Sequence, residues 1–232
     1  MHLINILRKF FSGAAVFFAL CIAFVMGSLM VPAVHATELR PGQDFQIIEP
    51  AFPVEDKTQI EVIEFFWYGC NHCNDFDPVL DAWVKKLPAD VSFRRVPALF
   101  PNMKWAPGAR LFYTLEAMQL TEKLHGKAFR AIHEERLRLD DDIVLLDWVA
   151  KQGVDRAKFK ETMLSFAVNA RVQQARSTTA AATIGGVPTV IVQGRYMANT
   201  TGNYSDLLRV IDQLVARARS ESPRAPNATG KK

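Results

Sequence analysis

The chain has 232 residues, 49% of them hydrophobic, with 28 Lys and Arg against 24 Asp and Glu and a formal net charge of +4. That is enough for one sizeable core, or for one domain carrying a large insertion, and makes a second full domain a tight fit. No run of Lys or Arg suggests a nucleic-acid partner, and no phosphate loop or nucleotide fingerprint appears.

Residues 1–36 read as a secretory signal. Arg8 and Lys9 form a positive n-region, an apolar stretch runs from Phe10 to about Val34, and Val34-His35-Ala36 offers a signal-peptidase site. The apolar stretch also approaches the roughly 20 residues that span a bilayer, so a retained anchor is the alternative. Gly27 and Ser28 near its end, together with the peptidase-like site, favour cleavage after Ala36. Either way the rest of the chain is expected beyond a membrane, in the periplasm. Removing 36 residues from 232 leaves 196, lowers the net charge from +4 to +2 with the loss of Arg8 and Lys9, and takes away Cys21. Cys70 and Cys73 remain. The unfolded-chain entropy that a disulfide removes grows with its loop, so two intervening residues make a poor staple and a good redox switch.

Phe45 to Ile48 reads as a short strand, and Gln59 to Trp67 as a second. The second is almost continuously apolar, as a strand buried on both faces should be. From Asn71 or His72 to Lys86 apolar residues recur at spacings of three and four, with Pro88 as the stop; Val91 to Val96 is a third strand. Strand, Cys-X-X-Cys, helix and strand form the opening unit of a thioredoxin-like α/β fold. An inserted helical subdomain, residues 103–182, should follow. Its expected helices are Pro107–Gln119, Thr121–Leu137, Asp142–Gln152, Asp155–Ser165 and Asn169–Ala182, with Asp142 and Asp155 as N-caps, Gly153 as a terminator, and Phe159, Met163 and Phe166 among the inward residues. His125 and His133 lie among charged residues and read as solvated. The sheet resumes at Thr189 to Val192, turns at Gln193-Gly194, returns through Arg195 to Ala198, and Tyr204 to Arg219 forms a closing amphipathic helix. The thioredoxin-like parts are thus 37–102 and 183–219, and 220–232 is expected to be a disordered tail.

Cys70 falls where the apolar strand ends, and Cys73 one turn into the helix, so Cys70 is the thiol expected to meet a partner. Helix N-terminal N–H groups favour a thiolate there, and a protonated His72 adds a positive neighbour. Zinc on Cys70, His72 and Cys73 would need a fourth ligand and another geometry.

Glu64-Phe65-Phe66-Trp67-Tyr68-Gly69-Cys70-Asn71-His72-Cys73 resembles the active-site segment of the DsbA family. Gly186-Val187-Pro188-Thr189, with the strand and hairpin after it, is similar to that family's cis-proline segment. The resemblance covers about residues 44 to 218. It implies that Cys70 and Cys73, with His72 and Glu64, carry catalysis, that Glu64 moves a proton at Cys73 beside a basic residue at Arg94 or Arg95, and that Val187 and Pro188 contact substrate. It further implies a monomeric oxidase that needs no organic cofactor, donates its disulfide to unfolded, cysteine-containing exported proteins and is reoxidised by a quinone-linked DsbB-type membrane protein. The family most often has proline after the first cysteine, where this chain has Asn71, so the redox potential stays open. A periplasmic reductase or isomerase, or an exported peptide-binding chaperone with a structural disulfide, are the alternatives.

Overall fold

The computed structural model describes residues 38–101, 104–199 and 202–221. The signal reading, Cys21 and most of the expected tail lie outside the described residues.

Five strands, β1 (Phe45–Ile47), β2 (Ile60–Phe66), β3 (Val91–Pro97), β4 (Thr189–Val192) and β5 (Tyr196–Ala198), form one mixed sheet in the order β1-β5-β4-β2-β3. β2 runs parallel to β3 and antiparallel to β4. With neighbours on both edges and cores on both faces, all seven residues of β2 are buried, so its sequence cannot alternate and reads as an apolar run broken only by Glu61 and Glu64.

Alternate residues of β2 feed two cores. Val62 packs with Phe76 and Leu80 of helix α1 (Asn71–Val84) and with Leu207, Ile211 and Leu214 of the closing helix α7 (Tyr204–Glu221). Ile63 and Phe65 face the other way, into the core built by the inserted helices. Those are α2 (Ala106–Ala117), α3 (Thr121–His133), α4 (Asp142–Lys151), α5 (Arg156–Leu164) and α6 (Phe166–Ala182), all between β3 and β4. Among the described residues no helix is long and apolar enough to cross a membrane.

The hairpin connection is Gln193 to Arg195, with Val192 paired to Tyr196; Gln193 and Gly194 are both at positive φ (53° and 62°), which reverses the chain so that the Arg195 N–H donates to the Val192 carbonyl. A Cβ at Gly194 would stand 2.2 Å from the Phe52 carbonyl oxygen, so glycine is required twice over.

Several boundaries differ from the sequence expectation. Helix α3 stops at His133 and not Leu137, and Arg136 takes a left-handed backbone (φ 58°) in the segment after it. Asp141, not Asp142, caps α4, accepting from the backbone N–H of Ile143 and Val144; Asp142 already lies in the first turn. Helix α6 starts at Phe166 because the Ser165 hydroxyl accepts from the Val168 N–H. That places Phe166 at the solvated start of a helix, 88% exposed, where an inward side chain was expected. Asp155 caps α5 as expected, and Gly153, at φ 80°, follows α4. Helix α7 continues through Ser220 and Glu221, two residues into the expected tail, with the Glu221 carboxylate accepting from the Tyr196 hydroxyl.

Candidate active site

Cys70 is delivered by a tight turn at the end of the buried strand. Its N–H donates to the Trp67 carbonyl at 3.0 Å, and its backbone stays extended (φ −90°, ψ 119°) as the N-cap of α1. A side-chain acceptor at an N-cap satisfies one of the helix's unpaired N–H groups. Here the acceptor is Cys70 Sγ, which takes the Cys73 N–H at 3.4 Å. Trp67 stacks on Trp105 from the insertion, with centroids 4.4 Å apart and planes 5° from parallel. A Cβ at Gly69 would lie 2.4 Å from the Trp67 ring, so any other residue there would have to displace that ring.

Both cysteines are free thiols, Cys70 half-buried and Cys73 fully buried. The Cys73 thiol hydrogen bond, the N–H groups of Cys73 and His72, and the His72 charge outweigh burial and bring the Cys70 thiol down to about 6. Burial and the hydrogen bond to Cys70 push Cys73 far up. One sulfur is therefore poised as a thiolate and its partner is held as a thiol, the division that a nucleophile and its buried companion need. His72 is exposed on the first turn of α1, and its carbonyl accepts from the Tyr204 hydroxyl at 3.0 Å, which ties the closing helix to the motif.

The distant Gly186 to Thr189 segment comes to the same place. Cys70 Sγ lies 3.4 Å from the Val187 carbonyl oxygen, and the Val187–Pro188 peptide is cis. Proline carries no N–H, so Pro188 offers no donor to the sulfur, and Val187 presents the acceptor.

Beneath the thiols, Glu64 and Arg95 are aligned partners on β2 and β3, and Arg95 Nε donates to Glu64 Oε2 at 3.1 Å. This resolves the choice of basic residue. Neighbours on a strand point to opposite faces, so Arg94 turns the other way and pairs with Glu61 at 2.8 Å. Glu64 is buried. Burial raises its carboxyl to about 7 despite Arg95, with Asp77 adding to the rise. Arg95 also donates through Nη2 to Asp77 Oδ1 at 3.2 Å.

Sequence reasoning missed Asp77, His125 and Tyr204. Asp77 lies one turn after Cys73 and so on the same face of α1. His125 is buried, not solvated. With Ala128, Phe129 and Ile132 it keeps the spacing of the apolar stripe of α3, a signal that its charged neighbours Glu122 and Lys123 obscured. His133 is partly buried, and its Nε2 lies 2.7 Å from the Tyr68 carbonyl oxygen. Among the described residues no group of three or more His, Cys, Asp or Glu is placed to hold a metal ion.

Residues 61–211 match the model of the DSBA-like thioredoxin domain. The thiol:disulfide interchange protein DsbA of Bordetella parapertussis is 42% identical over 187 residues, covering 79% of this chain and 88% of that protein. DsbA of Pseudomonas aeruginosa is 36% identical over 197 residues, covering 84% of this chain and 93% of its own length. The crystal structure of P. aeruginosa DsbA superposes with a TM-score of 0.75 at 36% identity, covering 80% of this chain and 97% of that one.

Proposed function

The chain belongs to the DSBA-like thioredoxin family and is a thiol:disulfide oxidoreductase, and from that premise we propose that it works as a dithiol oxidase of newly exported proteins in the periplasm. The observation that carries the direction is the unequal pair of thiols. A Cys70 thiolate stabilised at a helix N-terminus lowers the free energy of the reduced protein, so the disulfide is readily given away.

In the forward reaction a substrate thiolate attacks Cys70 Sγ of the Cys70–Cys73 disulfide. An enzyme–substrate disulfide forms, and the bond's electron pair leaves on Cys73 Sγ. Buried and pushed far up, Cys73 takes a proton at once. Glu64, at about 7, is partly protonated at neutral pH and is the group we assign to supply it. A second substrate thiolate then attacks the substrate sulfur of the mixed disulfide, and Cys70 leaves as the stabilised thiolate. The substrate loses two electrons and the enzyme gains them. The roles of His72, in favouring the Cys70 thiolate, and of Val187 and Pro188, in presenting backbone to an extended substrate peptide, are part of the same proposal. Reoxidation falls to a quinone-linked DsbB-type membrane protein, with the enzyme acting as a monomer.

Equilibration of the Cys70/Cys73 couple with glutathione tests the direction. A potential near the oxidising end of the superfamily, about −120 to −180 mV, is expected, and one near the roughly −270 mV of thioredoxin would instead make the protein a reductant.

A further inference from the structure

We infer that His125 is a positioning residue for the Glu64–Arg95 pair: by engaging Asp77 and Tyr68 it keeps Arg95 shared between two carboxylates, and so sets how readily Glu64 exchanges its proton. This rests on Glu64 as the proton exchanger proposed above.

His125 reaches the site from α3, outside the thioredoxin-like part. Its Nδ1 lies 2.8 Å from the Tyr68 hydroxyl, and its Nε2 stands 3.3 Å from Asp77 Oδ1, close enough for the ring dipole to act on the carboxylate without hydrogen-bond alignment. Burial keeps the imidazole neutral and the Tyr68 hydroxyl protonated. The hydroxyl therefore donates to Nδ1, which leaves the ring proton on Nε2, facing Asp77. The next residue is Gly126, where a Cβ would stand 3.2 Å from Asp77 Oδ2, a tight contact that would make the Asp77 carboxylate give by a few tenths of an ångström.

Arg95 is the shared resource. From β3 it serves Glu64 through Nε and Asp77 through Nη2. Glu64 is otherwise faced by the two thiols of the motif and Asp77, all on or beside α1, and by the protonated Tyr68 hydroxyl, while its β4 neighbour Val190 is apolar. Asp77 is faced by His125 and Arg130 from α3 and by Arg95; His125 also senses Asp81. Burial opposes the Asp77 charge, but His125, Arg95 and Arg130 prevail and hold its carboxyl below the usual range. Without His125, Asp77 stays ionised at neutral pH and draws harder on Arg95. Glu64 then loses part of its only close cation among the described residues, and its proton is held more tightly.

The test follows the carboxyl-carbon NMR signal of Glu64 against pH in the oxidised full chain, with Glu64→Gln identifying the resonance. His125→Leu should raise the midpoint by about half a pH unit or more, and His125→Gln, which retains a donor and an acceptor, should restore most of it. If His125→Leu does not fold, Tyr68→Phe decides on the same criterion. A midpoint that stays put or falls in the folded variant overturns the inference, leaving His125 a packing role. The midpoint is read separately from turnover. Disulfide transfer that is indifferent to Glu64→Gln would therefore sink the proton-exchange reading without touching the positional one.

Discussion

Raising pH from 5 to 8 should stabilise the reduced protein against the oxidised one. A folded Cys70 thiol at about 6, against an ordinary thiol value of 9.0, is a depressed acid. Its contribution to stability is complete only above the unfolded value and is lost as pH falls through the folded one. Between pH 5 and 8 the linkage integral for such a shift is about 2.6 kcal/mol. Cys70 is only half-buried and water screens it, so we discount this to about 1–1.5 kcal/mol. The disulfide form has no thiolate to stabilise. Its short ring removes about 2 kcal/mol of unfolded-chain entropy, but that amount is constant with pH and drops out of the change. Glu64, raised to about 7, costs both forms stability as pH rises, so it too largely cancels. Denaturant unfolding of both redox forms at pH 5, 6, 7 and 8 measures the gap. A gap that is flat, or that moves toward the oxidised form, would refute the thiolate argument and with it the physical case for an oxidase.

Replacing His72 by leucine removes one cation from beside Cys70 and should shift the thiolate absorbance titration upward from about 6, with a smaller pH effect on the redox gap. Glu64→Gln should raise stability at pH 8 by about 1–3 kcal/mol and leave it unchanged near pH 4, because a carboxyl raised from 4.5 to about 7 costs stability only above its unfolded value; Arg95 keeps Asp77 as a partner. The same variant should flatten the pH dependence of disulfide transfer near 7. Cys73→Ser should accumulate mixed disulfides on Cys70, visible on non-reducing gels, whereas Cys70→Ser should form none; a chaperone with a structural disulfide would keep its activity in the double variant. Export with cleavage predicts a mature N-terminus at Thr37, read by N-terminal sequencing of periplasmic protein, and Met1 on a membrane-held chain would replace cleavage with anchoring.

Local signals determined most of this protein. A two-residue spacing of cysteines, a doubly buried strand before them and an amphipathic helix after them are properties of contiguous residues, so the redox motif and the order of elements were legible without coordinates. Helix ends were less so, because Ser165 and Asp141 are caps only by the way the backbone turns around them. What tertiary structure alone decided was which charges share a space. Arg94 and Arg95 are neighbours in the chain, and only the register of β3 on β2 sends one to Glu61 and the other to Glu64. His125 looks solvated beside Glu122 and Lys123, and it becomes buried because α3 packs its apolar stripe against Phe66, Phe112 and Tyr68. Val187 is 117 residues from Cys70, yet its carbonyl meets the sulfur because β4 pairs with the strand that ends in the motif. Periodicity reports which face a residue occupies; which partner waits on that face is settled by long-range packing, and the proton affinities of Glu64, Asp77 and His125 follow from those partners.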